Sequence, residues 1–108
     1  LDYNTNWLIN SIDDLEIEIN AEDLEEINTI KFGFLNDPDH HIYLPEEITI
    51  SSDEHRKKLK LKSSTLKEKK TVNFPVDFKP GKKLIIKILR RKNSSVKSQI
   101  ATDEISIN

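Results

Sequence analysis

The sequence predicts an all-β protein, an antiparallel β-sandwich of about seven to eight short strands in one domain. Apolar and polar residues alternate in several short runs, which is typical of strands with one buried face. Ile occurs 15 times and Ala only twice among the 108 residues. Branching at Cβ restricts χ1 in a helix, so this composition favours strands. No segment shows the 3.6-residue period of an amphipathic helix, and residues 1–108 suit a single domain in length.

The N-terminal quarter of the chain contains one clear strand. Residues 1–14 are predicted to be an N-terminal extension or a first edge segment. From Leu15 to Ile19 apolar and acidic residues alternate, which predicts a strand with one wet face. Residues 20–27 are acidic, and Asn20 could cap one short helical turn there. A polar loop is the alternative for the same residues.

Three further strands are predicted before residue 63. Residues 29–35 alternate, and Gly33 on the outward side indicates a bulge or a close backbone approach. Residues 36–39 (Asn-Asp-Pro-Asp) predict a turn, because the residue before Pro disfavours regular structure. Residues 47–50 and 57–62 then alternate again, so each is predicted to be a short strand.

The segment from residue 63 to residue 82 predicts a loop, a strand and a tight turn. Residues 63–70 are polar and are expected to form a loop or hairpin tip. Residues 71–78 alternate clearly, and Pro75 predicts an edge strand or a bulge because Pro cannot donate to a ladder. Residues 79–82 (Lys-Pro-Gly-Lys) fit a type II turn with Gly81 at its third position.

The C-terminal part of the chain predicts two strands around a basic loop. Residues 84–89 form an apolar run that only Lys87 interrupts, which is typical of a central strand. Residues 90–98 are basic and contain Ser and Asn, so we expect a loop. Residues 100–107 are predicted to be the last strand.

The two halves of the chain carry opposite charge. Residues 1–54 contain 15 acidic residues and one basic residue, and residues 55–108 contain 16 basic and 4 acidic residues. The halves therefore carry −14 and +12, which sum to the net charge of −2. One interpretation is that acidic strands lie beside basic strands and their charges pair across the sheet. The other is a bipolar surface whose acidic and basic faces steer different partners.

The residues that enzymes need are not arranged for catalysis, so we predict that the protein is not an enzyme. The only glycines are Gly33 and Gly81, too few for a loop that cradles a phosphate. Serine pairs occur at 51–52, 63–64 and 94–95, and no serine lies within a Gly-x-Ser-x-Gly elbow. The absence of Cys excludes disulfides, thiolate metal sites and a cysteine nucleophile. We expect no cofactor.

Two clusters of Asp, Glu and His are candidate metal sites. Oxygen ligands on sandwich loops suit Ca²⁺, and imidazoles suit a transition metal. No spacing in either cluster matches a ligand motif, and adjacent His residues on a strand point to opposite faces. We therefore expect turn chemistry and no bound metal. The clusters are Asp37, Asp39, His40 and His41, and then Asp53, Glu54 and His55.

Basic segments in the second half could bind phosphates in a salt-dependent manner. An anionic lipid surface fits them better than nucleic acid, because the apolar face takes up the aromatic residues that single-strand binders expose. The strongly acidic first half would also repel a polyanion. The segments are 56–58 with Lys60 and Lys62, Lys67 with 69–70, 82–83, and 90–92.

The order of segments resembles one family of small sandwiches. Residues 15–35 run strand, acidic connection, strand, and residues 72–89 run Val-Asn-Phe-Pro-Val-Asp-Phe-Lys-Pro-Gly-Lys-Lys-Leu-Ile-Ile-Lys-Ile-Leu. This order is similar to the outer-membrane lipoprotein of the type VI secretion system (the TssJ family). The resemblance implies a transthyretin-like sandwich that is anchored by lipid on the periplasmic side of the outer membrane. It also implies a scaffold role through loop contacts with a membrane complex.

The beginning of the chain agrees with that resemblance, and its last strand does not. The chain starts at Leu1 and has no Met, so we expect a processed piece of a longer protein. Members of the TssJ family carry Trp or Tyr near the last strand, and residues 100–108 contain neither. A C2-like domain is the second resemblance, through the turn at 79–82 and the strands at 84–89 and 100–107. It implies an adaptor that docks on anionic membrane without calcium.

We therefore predict a non-catalytic interaction module. The first hypothesis is a scaffold subunit that binds a protein partner through loops 36–41, 63–70 and 90–98. The second is an adaptor that contacts anionic lipid through the basic half. The candidate partner-binding residues are Asp37, Asp39, His40, His41, Lys67, Lys69, Lys70, Arg90, Arg91 and Lys92.

Overall fold

A computed structural model describes residues 3–5, 9–22, 24–53, 55–92 and 98–108 of the chain. Within these ranges it contains nine strands and one 3₁₀ turn, Pro38–His40. The strands are β1 (Tyr3–Thr5), β2 (Ile9–Ser11), β3 (Leu15–Asn20), β4 (Ile27–Asn36), β5 (Glu47–Ser52), β6 (His55–Lys60), β7 (Glu68–Phe78), β8 (Lys83–Leu89) and β9 (Ile100–Ile107).

Two antiparallel sheets pack face to face, so the predicted β-sandwich is confirmed. The first sheet has the order β1-β9-β4-β7, and β2 also pairs with β9. The second sheet has the order β3-β8-β5-β6. Residues 1–14 therefore contribute an edge segment, since both β1 and β2 add to the outer side of β9. Among the residues that the structure describes, no helix is long and apolar enough to cross a membrane.

The core consists of the alternating apolar residues of both sheets. Phe32 and Phe34 of β4 are buried and stack with their ring centroids 5.7 Å apart. Ile86 and Ile88 of β8 face them from the other sheet and are fully buried. Strand β8 lies between β3 and β5, which confirms the central strand predicted from its apolar run.

Strand β7 is an edge strand and also carries a bulge, so both predictions from Pro75 are confirmed. It pairs with β4 alone in its sheet order. The register shifts between Ile27 and Thr29 of β4, which pair with Phe78 and Pro75. The extra residue lies on β7 next to Asp77, whose φ of 53° is left-handed.

Gly33 lies at the second irregularity of β4, as its position in the alternation predicted. The register with β9 shifts between Gly33 and Phe34. A Cβ on Gly33 would fall on the carboxylate of Asp103. The absence of a side chain therefore lets the Asp103 carboxylate approach the backbone of β4.

The helical turn predicted for residues 20–27 is wrong within the described part of that segment, 20–22 and 24–27. The Asn20 side chain accepts a hydrogen bond from the Glu22 backbone N–H at 3.1 Å, and the Leu24 N–H donates to the Ala21 carbonyl at 3.1 Å. These bonds make an Asx turn and a loop, the alternative considered for this segment. The helical turn lies instead at Pro38–His40, which overlaps the turn predicted for residues 36–39.

The type II turn predicted for residues 79–82 is also wrong. Such a turn needs a positive φ at Gly81, and Gly81 does not have one. Its N–H donates to the Ser52 hydroxyl at 2.7 Å, and a Cβ there would overlap the Asp53 carboxylate. Gly81 is therefore suited to a close approach between two loops and not to a left-handed turn.

Candidate partner-binding surfaces

The described parts of the three loops predicted to bind a partner lie together at one end of the sandwich. The Asn36 amide donates to the carbonyls of Ser64 at 3.1 Å and Leu66 at 2.7 Å, which joins the first loop to the second. The Gln99 N–H donates to the His41 carbonyl at 2.8 Å, which joins the first loop to the start of β9. One loop surface therefore forms at this end.

Asp37 holds the first loop in place and is not displayed to a partner. It is 6% exposed, and its Oδ2 lies 2.8 Å from His40 Nδ1 and 3.8 Å from Lys67 Nζ. Its Oδ1 is buried and makes no hydrogen bond within the described residues. Asp39 and His41 are exposed, and His41 closes the 3₁₀ turn with a φ of 59°. Only the exposed members of this cluster can meet a partner directly.

The described residues contain no group of three or more His, Cys, Asp or Glu side chains that could hold a metal ion. In the second candidate metal cluster (Asp53, Glu54 and His55), His55 stacks on Phe78 with the ring centroids 4.8 Å apart. Asp53 lies against the loop of Gly81 with a φ of 48°. Glu54 lies outside the described residues.

The guanidinium of Arg91 binds backbone inside the protein. It donates to the carbonyls of Leu44 at 3.3 Å, Pro45 at 3.2 Å and Leu61 at 2.6 Å. The Arg90 side chain likewise donates to the Ser98 hydroxyl at 3.2 Å. These bonds connect the segments around β5, β6 and β9, which is a structural role.

The rest of the nominated basic loop is divided between exposed and undescribed residues. Lys92 is exposed. Residues 93–97 of the predicted 90–98 loop lie outside the described residues.

The loop predicted for residues 63–70 ends earlier than expected, because β7 begins at Glu68. Lys69 and Lys70 therefore lie on a strand and point to opposite faces. Lys69 Nζ is 2.5 Å from Asp103 Oδ2 on the outer face, and this hydrogen bond and the carboxylate charge raise the pKa of Lys69. Lys70 instead lines a groove with β6.

That groove runs between β6 and β7, which are edge strands of the two different sheets. One part has a volume of about 310 Å³, and a second part, of about 280 Å³, lies beside Pro75. Its floor is apolar. The floor residues are Leu59, Leu61, Val72 and Phe74.

Basic side chains surround this groove and form what we call the basic rim. The basic rim is Lys57, Lys58, Lys60, Lys62 and Lys70, which line the groove, together with Arg56 next to them on β6, and all six are exposed. Lys58 Nζ lies 3.7 Å from Glu47 Oε1. The other five make no ion pair within the described ranges of the chain. The rim therefore combines concentrated positive charge with little neutralisation.

Strand β3, at the opposite edge of the sheet that contains β6, is acidic. Glu16 and Glu18 of β3 point outward, 3.6 Å from Lys87 Nζ and 2.8 Å from Lys83 Nζ on β8. The hydrogen bond and charge of Glu18 raise the pKa of Lys83. Pairing of acidic strands with basic strands across the sheet, the first interpretation of the charge split, is thus observed. The two ends of the strand order also differ in charge, as in the second interpretation.

Sequence reasoning identified the basic segment 56–62 but did not include it among the nominated residues. The signal was present, because His55 to Lys60 has basic residues on both faces and only Leu59 as an apolar residue. A central strand of a sandwich cannot have charged residues on both faces, so this pattern predicts an edge strand. The proximity of Lys70, however, depends on which strands end each sheet.

A cavity of about 570 Å³, larger than either part of the groove, lies at the end of the sandwich opposite the predicted loops. Glu25, Glu26, Asn28 and Asn108 line it with the apolar Leu24, Ile27 and Ile107. Its lining contains carboxylates and amides but no His, Ser, Thr or Lys that could act as nucleophile or base with them. Size therefore does not make this cavity the best candidate site.

No protein-family model matches the chain, and no curated protein matches it. The resemblances to the TssJ family and to C2-like domains therefore stay predictions.

Proposed function

We propose that the protein is a non-catalytic interaction module whose basic rim binds an acidic segment of a protein partner. The observation that carries this proposal is the position of the rim. Five exposed basic side chains line an open groove with an apolar floor, between two strands that each end a sheet, and a sixth, Arg56, adjoins them on β6.

The backbone of the edge strands supplies the second element of recognition. An edge strand presents unpaired N–H and C=O groups, to which an extended segment can add as a further strand. Strand β6 contains no Pro, and the described residues contain no strand on its outer side. Alternate side chains of an added strand would point into the groove and away from it. A segment with acidic and apolar residues in alternation matches both the rim and the floor.

The setting of this module is proposed as the scaffold subunit of a membrane-associated complex, in the manner that the TssJ resemblance implies. The loops at one end of the sandwich support that proposal, because their exposed residues add a contact surface next to the basic rim. Anchoring at the outer membrane belongs to the same proposal.

A second candidate function is docking on anionic membrane, as the C2-like resemblance implies. The basic rim favours it, because each basic residue near an anionic surface contributes about 1 kcal/mol of attraction. The groove favours the protein partner, because its apolar floor lies between strands and does not project outward as a membrane-inserting loop would.

Peptide binding tests the proposal directly. We expect a fluorescent peptide of about nine residues, alternating Glu and Val, to bind the protein in a salt-dependent manner. A peptide with Gln in place of Glu should bind on the order of tenfold more weakly. Vesicles with and without anionic lipid, sedimented with the protein over the same salt series, test the membrane alternative.

Two matched triple variants locate the binding surface. Lys57→Glu/Lys62→Glu/Lys70→Glu reverses the rim, and Lys79→Glu/Lys82→Glu/Lys92→Glu makes the same charge change at exposed positions outside it. We expect only the first to lose peptide binding. Equal losses in both variants would show that net charge, and not the rim, attracts the peptide. Binding to anionic vesicles without peptide binding would replace the protein partner with a lipid surface.

A further inference from the structure

We propose that the basic edge strand β6 pairs with the acidic edge strand β3 of a second copy of this chain, so that copies join head to tail in one extended sheet. The proposal rests on the proposed function, because it names the acidic strand that the basic rim binds. It follows from the strand order β3-β8-β5-β6, which places opposite charges at the two ends of a single sheet.

The strand directions permit this pairing. The sheet has four strands, each antiparallel to its neighbour. Its two outer strands therefore run in opposite directions. A second copy placed beside the first, without being turned over, presents its β3 antiparallel to β6. The alternation of the sheet then continues across the boundary.

The register places opposite charges side by side. Glu16 pairs with Lys87, Lys87 with Thr49 and Thr49 with Lys58, so Glu16 and Lys58 lie in one row on the outer face. Glu18 and Arg56 lie in the next row by the same argument.

Continuing these rows into a second copy sets Lys58 against its Glu16 and Arg56 against its Glu18. The same antiparallel register sets Lys60 against Asp14, the residue directly before β3, whose Oδ1 also accepts a hydrogen bond from the Arg90 N–H at 2.8 Å. Three pairs of opposite charge then cross the boundary, and cross-strand pairs of this kind stabilise a sheet.

The inward-facing side chains of the two edge strands, β3 and β6, are also complementary. Leu15, Ile17 and Ile19 of β3 and Leu59 of β6 pack on the core but are only half-buried. In the register above, Leu59 meets Leu15 of the second copy. Pairing would therefore cover apolar side chains that a single copy leaves partly in water.

The charges also disfavour the symmetric alternatives. Two β6 strands side by side would bring basic residues together, and two β3 strands would bring carboxylates together, which destabilises like-charged neighbours. Lysines on an edge strand often prevent pairing altogether. Here the acidic edge at the other end of the same sheet supplies the one partner that those lysines attract. A contact between two different surfaces continues from copy to copy unless it closes into a ring.

Sedimentation velocity of the full chain tests this inference. We expect the sedimentation coefficient to rise with protein concentration at about 50 mM salt and to fall to that of a single copy at about 500 mM. Glu16→Lys/Glu18→Lys reverses the acidic edge and Arg56→Glu/Lys58→Glu reverses the basic edge, and each variant alone should remain a single copy. Mixed together, the two variants should assemble, because each one supplies the charge that the other has lost.

Controls separate this inference from the function on which it rests. Lys79→Glu/Lys82→Glu makes the same change of charge outside strands β3 and β6 and should assemble like the original chain. Circular dichroism checks that each variant is folded, and the salt series on the unaltered chain needs no variant. A chain that remains a single copy at every concentration and salt overturns the self-pairing.

The Glu16→Lys/Glu18→Lys variant keeps the basic rim intact. If it binds the alternating Glu-Val peptide while the unaltered chain never self-associates, the proposed function stands and only the identity of the partner is wrong. If the mixed variants fail to assemble although the unaltered chain does, assembly uses another surface and the β6–β3 pairing is overturned.

Discussion

Strands β8 and β6 belong to the same sheet and both carry lysines, but the lysines of β8 have more carboxylate partners than those of β6. On central β8, Lys83 Nζ lies 2.8 Å from a Glu18 carboxylate oxygen and Lys87 Nζ lies 3.6 Å from one of Glu16. On edge strand β6, within the described residues, only Lys58 has a carboxylate within ion-pair distance, at 3.7 Å. The charge on central β8 is therefore neutralised by its neighbour β3, and most of the charge on β6 remains available to a partner.

The largest expected difference between these strands is in packing. Ile86 of β8 is fully buried, and Leu59 of β6 is half-buried. We expect Ile86→Ala to lower the free energy of unfolding by about 2–5 kcal/mol and Leu59→Ala by about 1–2 kcal/mol. Urea denaturation of both variants measures this. Equal losses would mean that β6 belongs to the core as fully as β8 does.

Charge-reversal variants of β8 and β6 should also differ in the free energy of unfolding, but by less than the alanine variants do. Lys87→Glu places a second carboxylate opposite Glu16, and we expect a loss of up to about 1 kcal/mol in the free energy of unfolding. Lys57→Glu on β6 lies opposite Ile50 and should leave stability nearly unchanged while weakening binding of the acidic peptide. A larger loss of stability for Lys57→Glu than for Lys87→Glu would contradict the difference described above.

The smallest expected effect is on pH dependence. Glu18 raises the pKa of Lys83 above its ordinary value of 10.5, so the stabilisation from this pair is fully present below that value. It is lost as pH rises through the raised pKa of the folded state. Denaturation of the original chain and of Glu18→Gln should therefore differ at about pH 9 and converge towards about pH 12. A difference that grows with pH would have the wrong sign.

Local alternation predicted most of the strands, because a period of two shows which side chains face the core, but it did not predict the three-residue strands β1 and β2. Phe32 and Phe74 lie at inward positions of the alternation, and both are buried as expected. Pro75 and Gly33 were informative for a similar reason, since a missing N–H or a missing Cβ restricts the backbone wherever it occurs. Both lie at irregularities in the pairing of β4.

The turns were harder to predict than the strands, because their geometry depends on contacts distant in sequence. Pro80 and Gly81 fit a type II turn locally, but Gly81 instead meets Ser52 and Asp53 from another loop. Asn20 could cap a helix, but the next residue, Ala21, is fully buried. The Ala21 N–H donates to the Lys82 carbonyl at 2.8 Å. In both places tertiary contacts decided between two local structures of similar propensity.

The candidate site was predictable only in part. That residues 56–62 are basic is plain from the sequence, but their position beside Lys70 requires that β6 and β7 each end a sheet on the same side. Arg91 was nominated for its charge, yet its guanidinium binds three carbonyls inside the protein. Sequence shows which residues are charged, and the strand order decides which of them remain available.

Amide hydrogen exchange with and without the alternating Glu-Val peptide tests the central claim most directly. The account predicts that peptide slows exchange at amides of β6 and of the first half of β7, Glu68–Phe74, and leaves the buried strand β8 unchanged. Slowed exchange confined to the loop end, around His41 and Lys92, with no change along β6, would contradict it and would move the binding surface to the nominated loops.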